Sequence, residues 1–140
     1  MKNYRNYINA ALNSLEDLFT EIDELFLELR THTMHMRFDG EIDNDEYYTH
    51  VKETFDKLSD RICKMCHTIG PAASITQEMV EKKEMSGEVS DEESCILDIV
   101  VLNMNVYMKK HKMYTEMYEE FKFFVEEADS FFAKKNWQTK

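Results

Sequence analysis

The sequence predicts an all-α protein, organised as an elongated antiparallel helical bundle with coiled-coil-like packing. Only three glycines and one proline interrupt its 140 residues, too few for the tight turns that all-β and most α/β folds require. Apolar residues recur at alternating intervals of three and four over long stretches, which is typical of amphipathic helices. The length is that of one domain, so residues 1–140 are expected to form a single helical-bundle domain.

Turn residues and capping boxes divide the chain into four predicted helices. Glycines at 40, 70 and 87, the second followed by Pro71, indicate helix ends. After each of them, an Asp or Ser precedes a Glu or Gln by three residues, which is the pattern of a capping box. These boxes pair Asp43 with Glu46, Ser74 with Gln77, and Ser90 with Glu93. The predicted helices run from about Tyr4 to Phe38, from Asn44 to Thr68, from Ile75 to Met85 and from Asp91 to Lys134.

The first predicted helix carries the most regular apolar pattern. Its residues alternate spacings of three and four, as in the seam of a left-handed supercoil. They are Tyr4, Ile8, Ala11, Leu15, Leu18, Ile22, Leu25, Leu29, His32 and Met36. On one flank, Leu12, Phe19 and Phe26 widen the seam to the breadth expected of a bundle helix.

The last predicted helix is apolar almost all round from Cys95 to Val101, which predicts that its first third lies at the centre of the bundle. Four later residues keep the core spacing: Phe121, Phe124, Ala128 and Phe131. Phe123 and Phe132 fall beside that stripe. This helix would also exceed its neighbours in length. Its Phe-rich second half is therefore expected to form an interface for self-association, unless the helix breaks near "KKHK".

Charge and targeting signals restrict the possible partners and location. The net charge is −11 and the pI is near 4.9, which disfavours nucleic acids and anionic membrane surfaces and favours a basic protein partner. No apolar run approaches the ~20 residues of a membrane span, and the first residues do not resemble a signal peptide. Together with an odd number of cysteines, these features predict a cytoplasmic protein with reduced thiols.

The most specific motif is "CKMCH", residues 63–67. It resembles the haem-attachment motif of c-type cytochromes, and that resemblance implies two thioether links and an iron ligand at His67. A second interpretation is a tetrahedral zinc site, because Cys63, Cys66 and His67 share one helix face and Cys95 opens the last helix. The third interpretation makes the two cysteines of the motif small residues of the core.

Two further stretches contain residue types found in metal sites. "FDGEIDNDEY", residues 38–47, places Gly40 and Glu46 as an EF-hand loop does. His35 and Arg37 would then stand where calcium needs oxygen ligands, so we interpret this stretch as a turn between helices. His32 and His35 lie one turn apart, and His50 could approach them, although a histidine near a helix end also has a structural explanation.

The sequence contains no phosphate-binding loop, nucleophile elbow or paired Glu-x-x-His signature, so we do not expect an enzyme. It predicts a non-catalytic interaction module: an acidic helical adaptor, chaperone or inhibitor that binds a basic protein, forms a homodimer and needs no cofactor. The candidate partner-binding residues are Phe123, Phe132 and Trp137. The alternative is a metal- or haem-binding bundle that uses the cluster of Cys63, Cys66 and His67.

Overall fold

The fold consists of three α-helices that pack together. A computed structural model describes residues 2–38, 45–86 and 90–138. The helices are α1 (Lys2–Phe38), α2 (Asp45–Ser86) and α3 (Asp91–Gln138), and the described ranges contain no strand. The all-α prediction is therefore confirmed, whereas the number of helices differs from the four expected.

The predicted helix end at Gly70 and Pro71 is wrong, because α2 continues through both residues. A proline inside a helix removes one hydrogen bond and clashes with the carbonyl four residues earlier, at a cost of about 3 kcal/mol. Both breakers face solvent, while Ile69, Ala72 and Met79 on the opposite side are buried. Burial of that continuous apolar face compensates the local cost, so the predicted second and third helices form one helix of 42 residues.

The predicted capping role of Ser90 at the start of α3 is confirmed. Ser90 precedes the helix, and its Oγ accepts a hydrogen bond of 3.2 Å from the backbone N–H of Glu93. The backbone N–H of Ser94 also donates to the Ser90 carbonyl at 2.9 Å. The predicted turn signals Gly40, Asp43 and Gly87 lie outside the described residues.

The chain forms two compact units, and all three helices contribute to each. Unit 1 comprises Met1–Phe19 and Cys63–Met113; unit 2 comprises Thr20–Ile62 and Tyr114–Lys140. Each unit has its own apolar core, which is built from faces of α1, α2 and α3. The organisation of residues 1–140 as one helical-bundle domain stays a prediction.

The core of unit 1 contains side chains that are nearly inaccessible to solvent. They are Ile8, Leu12, Leu15 and Phe19 of α1, Met65, Ile69, Ala72 and Met79 of α2, and Leu97, Val100 and Met104 of α3. The core of unit 2 contains Ile22, Phe26 and Leu29 of α1, Val51, Leu58 and Ile62 of α2, and Tyr114, Val125, Ala128 and Phe132 of α3. Within the described side chains, no buried polar atom lacks a hydrogen-bond partner.

Each unit has one cluster in which a tyrosine of α3 joins a phenylalanine and a carboxylate of α1. The clusters are Glu16, Phe19 and Tyr107 in unit 1, and Asp23, Phe26 and Tyr114 in unit 2. The ring centroids lie 5.5 Å apart in unit 1 and 6.0 Å apart in unit 2, and each tyrosine hydroxyl donates a hydrogen bond to its carboxylate. Corresponding members are seven residues apart in the sequence. The two clusters are therefore related by a shift of one heptad along α1 and along α3.

These clusters explain why the buried stripe of α1 is rotated from the predicted seam. The buried residues are Ile8, Leu12, Leu15, Phe19, Ile22, Phe26, Leu29 and Thr33. Leu12, Phe19 and Phe26, which were expected to flank the seam, form one of the two rows of this buried stripe. Leu18 and Leu25 are only partly buried. Because large rings bury more apolar area, the stacking of Phe19 and Phe26 on α3 determines the orientation of the helix.

The first part of α3 is covered on one side only, so the prediction that it lies at the bundle centre is wrong. Leu97, Val100 and Met104 are buried, but Ile99 and Leu102 are each more than half exposed. Among the described residues, one side of this part of α3 is therefore left uncovered by the other two helices. Even so, no helix in the described ranges is long and apolar enough to cross a membrane.

Candidate functional site

A cavity of unit 2 runs along the C-terminal half of α3. We call it the α3 groove, and it is lined by Glu120, Phe123, Phe124, Glu127, Ala128, Phe131 and Phe132. Its volume is about 370 Å³, which is in the range of small binding pockets. The lining positions recur every three or four residues, so they form one stripe along the helix. A second cavity of about 190 Å³ adjoins it, lined by Thr33 of α1 and by Glu120, Phe121 and Phe124.

The phenylalanines of this groove differ from their predicted burial. Phe123 is 64% exposed, as its position beside the core stripe predicts. Phe132 was expected to lie outside the core but is only 4% exposed, whereas Phe131 was assigned to the core and is 41% exposed. The core stripe of α3 therefore passes through Val125, Ala128 and Phe132. Phe132 is therefore not an exposed residue, because its ring is packed against α2; its role in partner binding stays a prediction.

Side chains of α2 hold the base of the groove in place. Tyr48 stacks on Phe132 with 4.2 Å between ring centroids, and its hydroxyl donates a hydrogen bond to Asp129 Oδ1. Lys52 Nζ lies 3.1 Å from the other oxygen of that carboxylate. Phe131 meets Phe132 edge to face at 5.3 Å. These contacts within the chain hold Phe131 and Phe132 in place. A surface that is preorganised in this way has a lower entropic cost of binding.

The Tyr48 phenol is strongly perturbed by this arrangement. Burial, the hydrogen bond to Asp129 and the negative charge of that carboxylate raise the pKa of Tyr48 to about 12. All three effects disfavour the phenolate. The hydroxyl therefore remains a hydrogen-bond donor throughout the physiological pH range, and the link between α2 and α3 is insensitive to pH there.

Two carboxylates give the groove a negative potential. Glu120 and Glu127 are seven residues apart on α3, and both are exposed. Neither makes an ion pair or side-chain hydrogen bond within the described part of the chain. They stand beside the apolar surface of Phe123 and Phe124. Cationic groups placed against them would gain attraction without breaking an existing pair.

The structure places the third predicted contact residue, Trp137, in the last turn of α3. Its side chain lies outside the described part of the structure. The two groove carboxylates were not among the residues predicted from the sequence. Their seven-residue spacing next to Phe123 and Phe131 was the available signal.

The residues of the "CKMCH" motif lie on the surface of unit 1. Cys63, Cys66 and His67 are exposed on α2, and Cys95 is exposed on α3. The interpretation of the two motif cysteines as buried core residues is therefore wrong. Among the described residues, no three His, Cys, Asp or Glu side chains come together as a metal site would require. The predicted four-ligand zinc arrangement, including Cys95, is not formed.

The Cys66 thiol instead contacts a histidine that the sequence analysis did not single out. Its Sγ lies 3.4 Å from His111 Nε2 on α3. Burial and, to a smaller extent, the neighbouring Cys63 raise the pKa of the Cys66 thiol. A raised pKa keeps sulfur in the thiol form, whereas metal ligation and nucleophilic attack both use the thiolate.

The predicted approach of His32 and His50 is observed. The two rings stack in unit 2 with 5.3 Å between centroids. Each also lies near a glutamate on its own helix: Glu28 Oε1 is 3.7 Å from His32 Nε2, and Glu46 Oε1 is 3.8 Å from His50 Nε2. Thr54 donates to Glu28 Oε1 at 3.3 Å. The pair therefore connects α1 to α2; the His35 side chain lies outside the described residues.

Comparisons of this chain with protein-family models, curated proteins and solved structures found no match. The functional argument consequently depends on the chemistry of these surfaces alone.

Proposed function

We propose that this protein is a non-catalytic interaction module and that the α3 groove binds a basic, amphipathic helix of a protein partner. The observation that carries the proposal is the α3 groove itself, in which phenylalanines lie beside two carboxylates that make no ion pair or side-chain hydrogen bond within the described residues. Helix-in-groove recognition uses such a surface: apolar anchors of the ligand enter the groove while charged residues flank it.

The dimensions of the groove fit a helical ligand. From Glu120 to Phe131 the lining spans twelve residues of α3, which is a rise of about 16 Å at 1.5 Å per residue. This corresponds to about three turns of a partner helix lying alongside. Apolar residues at i, i+4 and i+7 of the ligand would then contact Phe123, Phe124 and Phe131.

The charge around the groove favours a basic ligand. Between Tyr114 and Lys134, α3 carries six acidic and two basic residues. Of these acids, Asp129 is engaged by Lys52 and Tyr48, whereas Glu120 and Glu127 are available. Lysine or arginine on the flanks of the ligand would increase the association rate and exclude acidic competitors.

The proposal is tested by selecting helical peptides from a displayed random library on the wild-type protein. We expect the recovered peptides to combine the i, i+4, i+7 apolar pattern with lysine or arginine. The affinity of a recovered peptide should fall at least about tenfold in Phe123→Ser, since central aromatic contacts dominate such interfaces. The affinity of the peptide should also fall when added salt screens the charges of Glu120 and Glu127.

A matched control variant is Leu102→Ser in unit 1. Leu102 is 65% exposed, almost the same as Phe123 at 64%, so both changes remove an equally accessible apolar side chain. Peptide binding should be unchanged in Leu102→Ser. Peptides that bind Phe123→Ser as tightly as the wild type, or that are predominantly acidic, would contradict the proposal.

The alternative function is metal or haem binding at Cys63, Cys66 and His67. The observation that favours it is the contact of Cys66 with His111, since this histidine offers another nitrogen ligand next to the motif. Elemental analysis and an absorbance spectrum of the purified protein test it. Stoichiometric zinc or a haem Soret band that is lost in Cys63→Ala/Cys66→Ala would establish this function.

A further inference from the structure

The first half of α3 carries an exposed apolar stripe that belongs to unit 1. Ile99, Leu102, Val106 and Met113 are each about half exposed or more, and Cys95 is exposed as well. Successive members are separated by four, three, four and seven residues. This is the spacing of a helix–helix seam, and the stripe shares no residue with the α3 groove.

The stripe lies roughly opposite the buried side of the same helix. At 3.6 residues per turn, Leu97, Val100 and Met104 point about half a turn away from Ile99 and Leu102. The first half of α3 is therefore apolar on two opposite sides, and the described parts of α1 and α2 cover only one of them. A contiguous exposed apolar surface of this kind typically marks an interaction site.

The charges along α3 are segregated around this stripe. Residues 91–98 contain four acidic and no basic residues, residues 99–108 contain no charge, and residues 109–112 contain three lysines. Lys109 and Lys112 are exposed and make no ion pair within the described residues. Asp98 lies 3.8 Å from Lys83 of α2 and remains 70% exposed. The stripe thus has an acidic end, a neutral centre and a basic end.

Such a surface is complementary to itself when two copies lie antiparallel. We propose that this stripe is the interface of a homodimer, in which α3 of one copy packs antiparallel on α3 of a second copy. The two-fold axis would pass near Asn105. The acidic end of each helix then faces the basic end of the other, and the neutral apolar centre is buried between them.

Heptad spacing defines which residues meet. Asp98, Asn105 and Lys112 are separated by seven residues and so share one edge of the stripe. In the antiparallel arrangement Asp98 of one copy faces Lys112 of the other, and the two Asn105 amides face each other at the axis. Leu102 packs on Val106, and Cys95 lies across from Met113. A parallel arrangement would instead place like charges together at both ends, which is unfavourable.

The oligomeric state of the full chain tests this proposal, measured by light scattering and sedimentation up to about 1 mM. We expect a dimer. Leu102→Glu should raise its dissociation constant at least about 100-fold, because it places carboxylates in the apolar centre. Circular dichroism checks that this variant, which changes an exposed helical position, remains folded.

Phe123→Glu is the matched control, since it introduces the same charge at an equally exposed position of unit 2. It should remain dimeric. A monomeric wild type would overturn the proposal, and so would a dimer that Leu102→Glu leaves intact. A dimer lost in Phe123→Glu instead would place self-association at the α3 groove.

Cysteine cross-linking tests the orientation. In a Cys63→Ser/Cys66→Ser background only Cys95 remains, and oxidation with copper phenanthroline in air should give no covalent dimer, because the two thiols would lie about 28 Å apart. Adding Met113→Cys should produce a disulfide-linked dimer. Cross-linking through Cys95 alone, or no cross-linking with Met113→Cys, would overturn the antiparallel arrangement.

Discussion

Tyr48 of α2 stacks on Phe132 of α3 with 4.2 Å between ring centroids and an angle of 24° between the rings. This contact determines which side of α3 is buried over its last turns. Phe132 turns inward onto Tyr48, and Phe131 is left at the edge of the α3 groove. The groove is therefore a consequence of how α2 packs on α3, and not a property of α3 alone.

Truncating these two adjacent phenylalanines should have very different effects on stability. Phe132→Ala removes a buried ring and leaves a cavity, so the free energy of unfolding should fall by about 3–5 kcal/mol. Phe131→Ala removes a partly exposed ring, and the loss should be about 1 kcal/mol or less. Urea unfolding followed by circular dichroism measures both values. Equal losses would contradict the observed orientation of α3.

The hydrogen bond from Tyr48 to Asp129 should make stability depend on pH in the alkaline range. The unfolded phenol ionises near its usual pKa of 10, whereas the folded pKa is about 12. Between these values the folded state retains a proton that the unfolded state loses, so stability is fully present below pH 10 and falls as pH rises toward 12. Tyr107, with a pKa also raised to about 12, contributes in the same direction.

Tyr48→Phe isolates this contribution because it keeps the ring that stacks on Phe132. At neutral pH the variant should be less stable by about 1 kcal/mol, the value of one hydrogen bond. The difference from wild type should then shrink from about pH 10 to 12. Tyr7→Phe, which removes an exposed phenol of α1, is the control and should preserve the wild-type slope. A constant difference across this range would refute the assignment.

The two helix breakers inside α2 provide a test of its continuity. Pro71→Ala restores a backbone hydrogen bond and removes a clash, so it should stabilise the protein by about 1–3 kcal/mol. Gly70→Ala should add about 0.5–1 kcal/mol, because the added methyl group would meet no atom within 4 Å beyond its own stretch of helix. Thermal unfolding measures these gains. If α2 ended near Thr68 as the local signals predicted, neither substitution would be stabilising.

The exposed thiols of α2 should matter little for stability in the absence of a bound metal. Cys63→Ala/Cys66→Ala changes two surface positions, and we expect a loss below about 1 kcal/mol. Adding zinc to the wild type should leave its unfolding midpoint unchanged. A zinc-dependent increase that the double variant lacks would support the alternative function.

Local information is sufficient to predict three features of the fold. They are the helical class, the borders of the helices at Phe38 and Asp91, and the Ser90 cap. Each depends on residues close together in the chain: periodic apolar positions, capping side chains and the scarcity of glycine and proline. Phe123 could also be assigned to the surface, because its position beside the core stripe is a property of one helix. The spacing of Cys63, Cys66 and Cys95 could not show that these side chains stay apart among the described residues.

The sequence by itself determined that the chain folds into helices and which broad faces of them are apolar. Only the tertiary structure decided that α2 passes through Pro71, that Phe132 and not Phe131 is buried, and that Ile99 and Leu102 stay exposed. The physical reason is the same in each case. Burial energy depends on what lies opposite a residue, and Tyr48, Tyr107 and Tyr114 are far from their partners in the sequence.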